Sequence, residues 1–240
     1  MIEYNSKTSF ASSASRTSTF DSALRDYMVK VYQYMSIALA ISGLVAFMVA
    51  SSPTLMQAIF GTPLAFVVML APLGFVIFFG FKLNSISAEK AKSFLWIYSA
   101  LMGLSLATIF AVYTATSITR VFLITASTFG AMSIYGYTTK KDLTSFGSFL
   151  IMGLIGIMIA SLINIFLKSS GLDFAISFLG VFIFIGLTAY DTQRIKQTYY
   201  HFAGNDEAVS KMAVMGALNL YMDFINLFIM LLRFFGERKN

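Results

Sequence analysis

The chain has no cysteine, one histidine, three prolines and one tryptophan in 240 residues. Without thiols it forms no disulfide and runs no thiolate chemistry. The single histidine, His201, sits in a polar stretch that reads as a solvated loop; alone it cannot supply a zinc site or a histidine proton relay. Charge is also scarce: 12% of residues are Asp, Glu, Lys or Arg, against about 25% in soluble domains. The net charge of +6 is scattered over short connections. With no dense basic patch or stripe, nucleic acid is not an expected partner.

Apolar residues are plentiful. They make up 58% of the chain and give a mean hydropathy of +0.77. No single water-facing globule can hide that fraction, so the lipid bilayer must be the solvent. Seven apolar segments are expected over 31–51, 64–81, 94–116, 121–138, 146–167, 174–193 and 212–235. Each is long enough for a helix across about 30 Å of hydrocarbon. The expected fold is an all-α membrane protein, a seven-transmembrane-helix bundle over 27–240, with no room for a separate soluble domain. Pro72 lies inside span 2 and should kink it. Ahead of the bundle, ten of the seventeen residues from Ser6 to Ser22 are Ser or Thr. Residues 1–26 therefore read as a disordered cytoplasmic tail. They do not read as a secretory signal, because no basic start leads into an apolar core.

Orientation follows from the basic residues. Lys7, Arg16, Arg25 and Lys30 precede span 1; Lys82, Lys90 and Lys92 follow span 2; Lys140 and Lys141 follow span 4; Arg194, Lys196 and Lys211 follow span 6. The opposite set holds only Arg120, Lys168, Arg233, Arg238 and Lys239. Twelve against five places the N-terminus in the cytoplasm by the positive-inside rule. The basic C-terminal stretch falls outside if span 7 crosses fully, which its 24 residues allow, and inside if span 7 is re-entrant. Small residues at four-residue spacing, Ala126/Gly130, Ser127/Ala131 and Gly156/Ala160, predict close helix approach and a tight sub-bundle of spans 3 to 5.

Two carboxylates lie within these spans. Asp191 stands in Leu187-Thr188-Ala189-Tyr190-Asp191-Thr192-Gln193-Arg194, and Asp223 in Leu218-Asn219-Leu220-Tyr221-Met222-Asp223-Phe224-Ile225-Asn226. A carboxylate at a helix centre in hydrocarbon costs roughly 2.5–3.5 kcal/mol on insertion scales. Each could simply cap a helix or pair with a nearby polar group; a chain that keeps two on consecutive spans is expected to use them. Asn219, Asp223 and Asn226 fall at i, i+4 and i+7, on one helix face. Such a stripe must face protein or water, so span 7 is expected at the centre of the bundle. Carboxylate and amide oxygens suit a hard cation such as calcium; an interhelical hydrogen-bond ladder is the other reading. In straight helices the aspartates differ in depth by roughly 10 Å at 1.5 Å per residue, so direct contact is allowed but not required. Two carboxylates in a low-dielectric site cannot readily both be ionised, and the pair should titrate as one unit. Protonation lets them share a hydrogen bond. Deprotonation drives them apart or recruits a cation.

Three stretches together resemble the transmembrane Bax inhibitor motif family, its bacterial calcium-leak members in particular. The first is Ser133-Ile134-Tyr135-Gly136-Tyr137-Thr138-Thr139-Lys140-Lys141-Asp142-Leu143-Thr144, with Gly147 and Phe149 beyond it. The second is Ala189-Tyr190-Asp191-Thr192-Gln193. The third, and most specific, runs from Leu220 to Phe228 and ends in Leu231-Leu232-Arg233. The resemblance implies seven helices with the last one central, and a slow, pH-regulated calcium leak gated by aspartates that map onto Asp191 and Asp223. Calcium is then the permeant ion, held weakly by the pair, rather than a cofactor. The resemblance also implies a basic latch on helix 2, for which this chain offers Lys82. Lipid, calcium and protons are the implied partners, and a bacterial inner membrane the implied location. Eukaryotic members resist cell death, a role not carried over to this chain.

Other readings meet specific obstacles. An intramembrane aspartyl protease needs Gly-x-Gly-Asp at its second site, where this chain has Leu220-Tyr221-Met222-Asp223. A rhomboid-like serine protease could use Ser105, but its histidine would have to lie in the membrane. A retinal protein needs a lysine in span 7. No enzymatic activity is expected. A proton-coupled transporter remains, since two carboxylates can carry protons.

Overall fold

The computed structural model describes residues 3–239, with side chains from Asp21 onward except Asn84. Its helices are α1 (Glu3–Ala50), α2 (Pro53–Phe60), α3 (Leu64–Lys82), α4 (Ala88–Val112), α5 (Ala115–Thr138), α6 (Thr144–Leu167), α7 (Ser170–Phe202) and α8 (Asp206–Phe235). Seven of these, all but α2, are long and apolar enough to cross a membrane. The protein is an all-α membrane protein, as the sequence predicts.

The expected tail over 1–26 falls largely outside the residues whose side chains are described. From Asp21 the chain is helix, and Leu24 is buried with Tyr27 and Met28. The unexpected element is α2, between the first two spans. Its signal is local: the Ser52 hydroxyl accepts from the Leu55 N–H, and Pro53 takes the first helical turn, where its missing N–H costs nothing.

The helix α8 packs against α1, α4, α5 and α7 and is the central one. On one side lie α1, α3 and α4, with α4 between the other two; on the other, α5 and α6 both pack on α7. This corrects the expected sub-bundle of spans 3 to 5, which correspond to α4, α5 and α6. Two of the small residues that suggested it, Gly130 and Gly156, face open space. The close approaches involve other glycines. Gly103 lies on the α1 backbone at Ser42, Gly136 on the Ala189 carbonyl of α7, and Gly147 on the Tyr190 ring. A Cβ at any of these would collide with its neighbour.

Pro72 removes the N–H that would bond the Val68 carbonyl one turn back. The Ser105 hydroxyl of α4 donates to that carbonyl at 2.6 Å, so the freed acceptor is satisfied within the bundle. Ser105, the one serine a protease reading could have used, is thereby given a structural role.

Several helices overrun their apolar segments. In α7, helix continues nine residues past the apolar segment's end at 193, because Ile195 and Tyr199 stay buried one turn apart. His201 therefore ends a helix, exposed, and does not sit in a loop. The ends of the bundle are well defined. At one, the Glu207 carboxylate accepts from the Ala88 N–H at 2.8 Å and Lys30 reaches Ser210 at 3.5 Å. At the other, the C-terminal strand lies along the α4–α5 turn: the Thr114 N–H donates to the Glu237 carbonyl at 3.1 Å, and the Lys239 N–H to Val112 at 2.9 Å. The last helix thus crosses the bundle completely and is not re-entrant.

Candidate functional site

The site is built where α7 meets α8. These helices run antiparallel, with Ile195 against Gly216 and Gly180 against Met230. In that register Asp191 is level with Leu220, and Asp223 lies three residues deeper, about 4.5 Å at 1.5 Å per residue. Side chains span that offset, and the two carboxyl groups lie within hydrogen-bond reach of each other. The greater separation expected from span depths fails because apolar boundaries are poor rulers for helices that overrun the hydrocarbon; side-chain packing sets the register.

Asp223 is 6% exposed, and its Oδ2 has no hydrogen-bond partner among the described residues. Asp191 is half-buried, with the Arg194 guanidinium one turn further along α7 acting on it electrostatically. Two ionised carboxylates have no donor between them, so the contact holds only with a proton in it.

The other expected site residues divide. Asn219 and Asn226 are half-buried on the Asp223 face of α8 and make no side-chain hydrogen bond among the described residues. Lys82 is exposed in the last turn of α3, whose main neighbour is α4, and forms no ion pair among the described residues. It does not touch the aspartates. Among the described residues no three His, Cys, Asp or Glu side chains converge on a metal site.

Several residues around the pair were quoted in the sequence motifs without a role. The Gln193 amide grips the α5–α6 loop with both ends: its Oε1 accepts from the Leu143 N–H at 2.9 Å and its Nε2 donates to the Lys141 carbonyl at 2.8 Å. Beside it, Lys196 donates to the Tyr137 carbonyl at 3.0 Å and lies over the Tyr137 ring. Asp142 accepts from the Thr144 hydroxyl at 2.6 Å and its N–H at 2.9 Å, starting α6. Those two bonds hold the exposed Asp142 carboxyl below its ordinary value. The first two motif stretches are therefore one structural unit, two residues from Asp191. On α8, the Tyr221 hydroxyl meets Ser42 of α1 at 2.6 Å, and Ser42 reaches the Ser99 carbonyl of α4 at 2.7 Å. Only the tertiary structure shows that Tyr221 and Ser42 meet.

Beyond Asp223, towards the C-terminal end, aromatic rings fill the bundle. Phe224 packs edge-on against Phe122 at 5.5 Å and Phe129 at 5.4 Å, and Phe228 against Phe122 at 6.3 Å.

Seven apolar helices, four of them packed on the central α8 and the other two on α4 and α7, define an integral membrane protein with a carboxyl pair between two of its spans. The family profile described as inhibitor of apoptosis-promoting Bax1 matches residues 24–240, and the chain belongs to this Bax inhibitor family. Among its relatives is the Rickettsia prowazekii protein RP147, 48% identical over the full length of both chains. The Escherichia coli inner membrane protein YbhL is 45% identical, covering 90% of this chain and 93% of its own. A membrane protein of Streptococcus pyogenes is 34% identical, covering 90% and 95%.

Proposed function

We propose that the protein is a pH-regulated calcium leak whose gate is the Asp191–Asp223 pair. The observation that carries this reading is the carboxyl–carboxyl contact between α7 and the central α8. Sharing one proton, the pair ties the two helices together. When that proton leaves, two negative charges face each other at short range, and the contact either opens or takes up a cation. The aromatic layer of Phe122, Phe224 and Phe228 is the second barrier. In this reading the protonated pair is the closed state. Calcium binding competes with protons for the same oxygens, so calcium affinity rises with pH.

The test is calcium flux into liposomes containing only this protein, scanned from about pH 6 to 8, where a coupled carboxyl pair can titrate. Wild type changes its flux across that range. Asp191→Asn and Asp223→Asn each alter the profile, since asparagine keeps the shape and removes the titration. The double variant does not add the two effects, because the residues act as one unit. Absence of calcium flux at every pH would refute the leak. Protons moving stoichiometrically with a solute would favour a proton-coupled transporter, the reading that uses the same two carboxyls without a pore.

We further place the basic end of the bundle in the cytoplasm, and the protein in a bacterial inner membrane, the location in YbhL's own name. Reporters fused at Glu89 and Asp206 then read cytoplasm and one at Pro53 reads outside; a cytoplasmic signal at Pro53 reverses the orientation.

A further inference from the structure

One large cavity lies outside the acidic site. It is a groove of about 1150 Å³ between α1 and α5, floored by Phe224 of α8. Neither wall closes over it: Val29 and Leu44 on α1, and Phe122 and Ile134 on α5, remain 40–70% exposed along its rims. In a membrane that open side faces lipid.

The groove is amphipathic along its length. Its wall on α1 runs from Arg25 to Leu44, nineteen residues or about 28 Å at 1.5 Å per residue. One acyl chain spans half the hydrocarbon core, about 15 Å, and fits within it. The inner part is lined by Leu39, Phe122 and Phe129, with Gly43 and Gly130 facing open space. The outer part carries Arg25, Tyr32, Tyr137 and Ser133. Arg25 is exposed, forms no ion pair among the described residues, and precedes the apolar run that begins at Val31 by six residues, about 9 Å of helix. That height is the headgroup layer. Ser133 is 6% exposed, and its buried hydroxyl has no hydrogen-bond partner among the described residues. A cation at headgroup level, an unsatisfied hydroxyl below it and an apolar channel below that match one chemistry.

We propose that the α1–α5 groove is a binding site for an anionic phospholipid, with its phosphate at Arg25 and an acyl chain along the channel beneath. Such a lipid abuts the acidic site: Tyr32 on the groove wall meets Thr192, the neighbour of Asp191, at 3.4 Å, and Phe224 adjoins Asp223. The binding claim itself is independent of the leak.

The experiment is native mass spectrometry of the full chain in micelles, offered phosphatidylglycerol or phosphatidylcholine with the same acyl chains. Wild type retains phosphatidylglycerol in preference. Arg25→Gln, an exposed substitution that leaves packing untouched, lowers that preference about five-fold, the factor for roughly 1 kcal/mol per basic residue at an anionic surface. Gly43→Leu with Gly130→Leu fills the channel and removes the adducts of both lipids. Equal retention of the two lipids by wild type, or an unchanged preference in Arg25→Gln, overturns the headgroup assignment. Persistence of the adducts in the double leucine variant overturns the channel. A lipid-free dimer of wild type that excludes phosphatidylglycerol assigns the groove to a second copy instead. Should the leucine variant fail to fold, Arg25→Gln alone decides.

Discussion

α6 and α8 run in the same direction, yet they meet opposite surroundings. α6 is almost wholly apolar, and only 11% of its central window is buried; α8 carries Asn219, Asp223 and Asn226, and 67% of its window is buried. In water the more hydrophobic helix would take the interior. In a bilayer the lipid tails are as apolar as leucine, so no force drives an apolar helix inward. The helix with polar groups is the one that must leave the lipid. Polarity, not hydrophobicity, selects the centre of this molecule.

The strongest way to break that comparison is to exchange the polarity. Ile155→Asp puts a carboxylate at mid-depth on α6, where Ile155 is 52% exposed. It should cost about 3 kcal/mol of insertion. Asp223→Leu removes the same group from α8; it deletes the unpartnered Asp223 Oδ2 but leaves the half-buried Asp191 without its carboxyl partner, so it should cost about 1 kcal/mol, well below Ile155→Asp. Insertion assays and thermal unfolding in micelles read both. A tolerated Ile155→Asp would mean that α6 is not lipid-facing.

Truncation sharpens the comparison. Leu227 in α8 is fully buried and Leu162 in α6 is 61% exposed. Leu227→Ala should cost about 2 kcal/mol, the low end for a core leucine, since the lost packing counts but transfer from lipid does not. Leu162→Ala should change the unfolding midpoint by less than about 0.5 kcal/mol equivalent. Equal effects would deny α8 its central place.

A subtler test leaves shape unchanged. Tyr221→Phe deletes the hydroxyl that meets Ser42, costing about 1 kcal/mol, while Ser42 keeps the Ser99 carbonyl as its acceptor. The same loss in a Ser42→Ala background should be smaller, because the partner is already gone. An undiminished loss there would show that the two hydroxyls do not depend on each other.

Composition alone determined that the chain lives in lipid, and hydropathy located all seven spans. The i, i+4, i+7 stripe of Asn219, Asp223 and Asn226 marked the central helix, because the cost of a polar group in hydrocarbon is a local property of sequence. Local caps act over a few residues, yet α2 still went unforeseen: Ser52 before Pro53 starts it, and its eight residues carry no apolar run long enough to announce a span. What the sequence could not carry was register and partnership. Nothing local states that Ile195 rests on Gly216, and it is this packing that brings Asp191 and Asp223 together. Nor does a four-residue spacing of small residues reveal whether a neighbour is there: at Gly136 the Ala189 carbonyl is, and at Gly130 a lipid-facing groove is. Only the tertiary structure decided these, because the contacts join residues dozens of positions apart, and in a bilayer they are chosen by shape rather than by hydrophobicity.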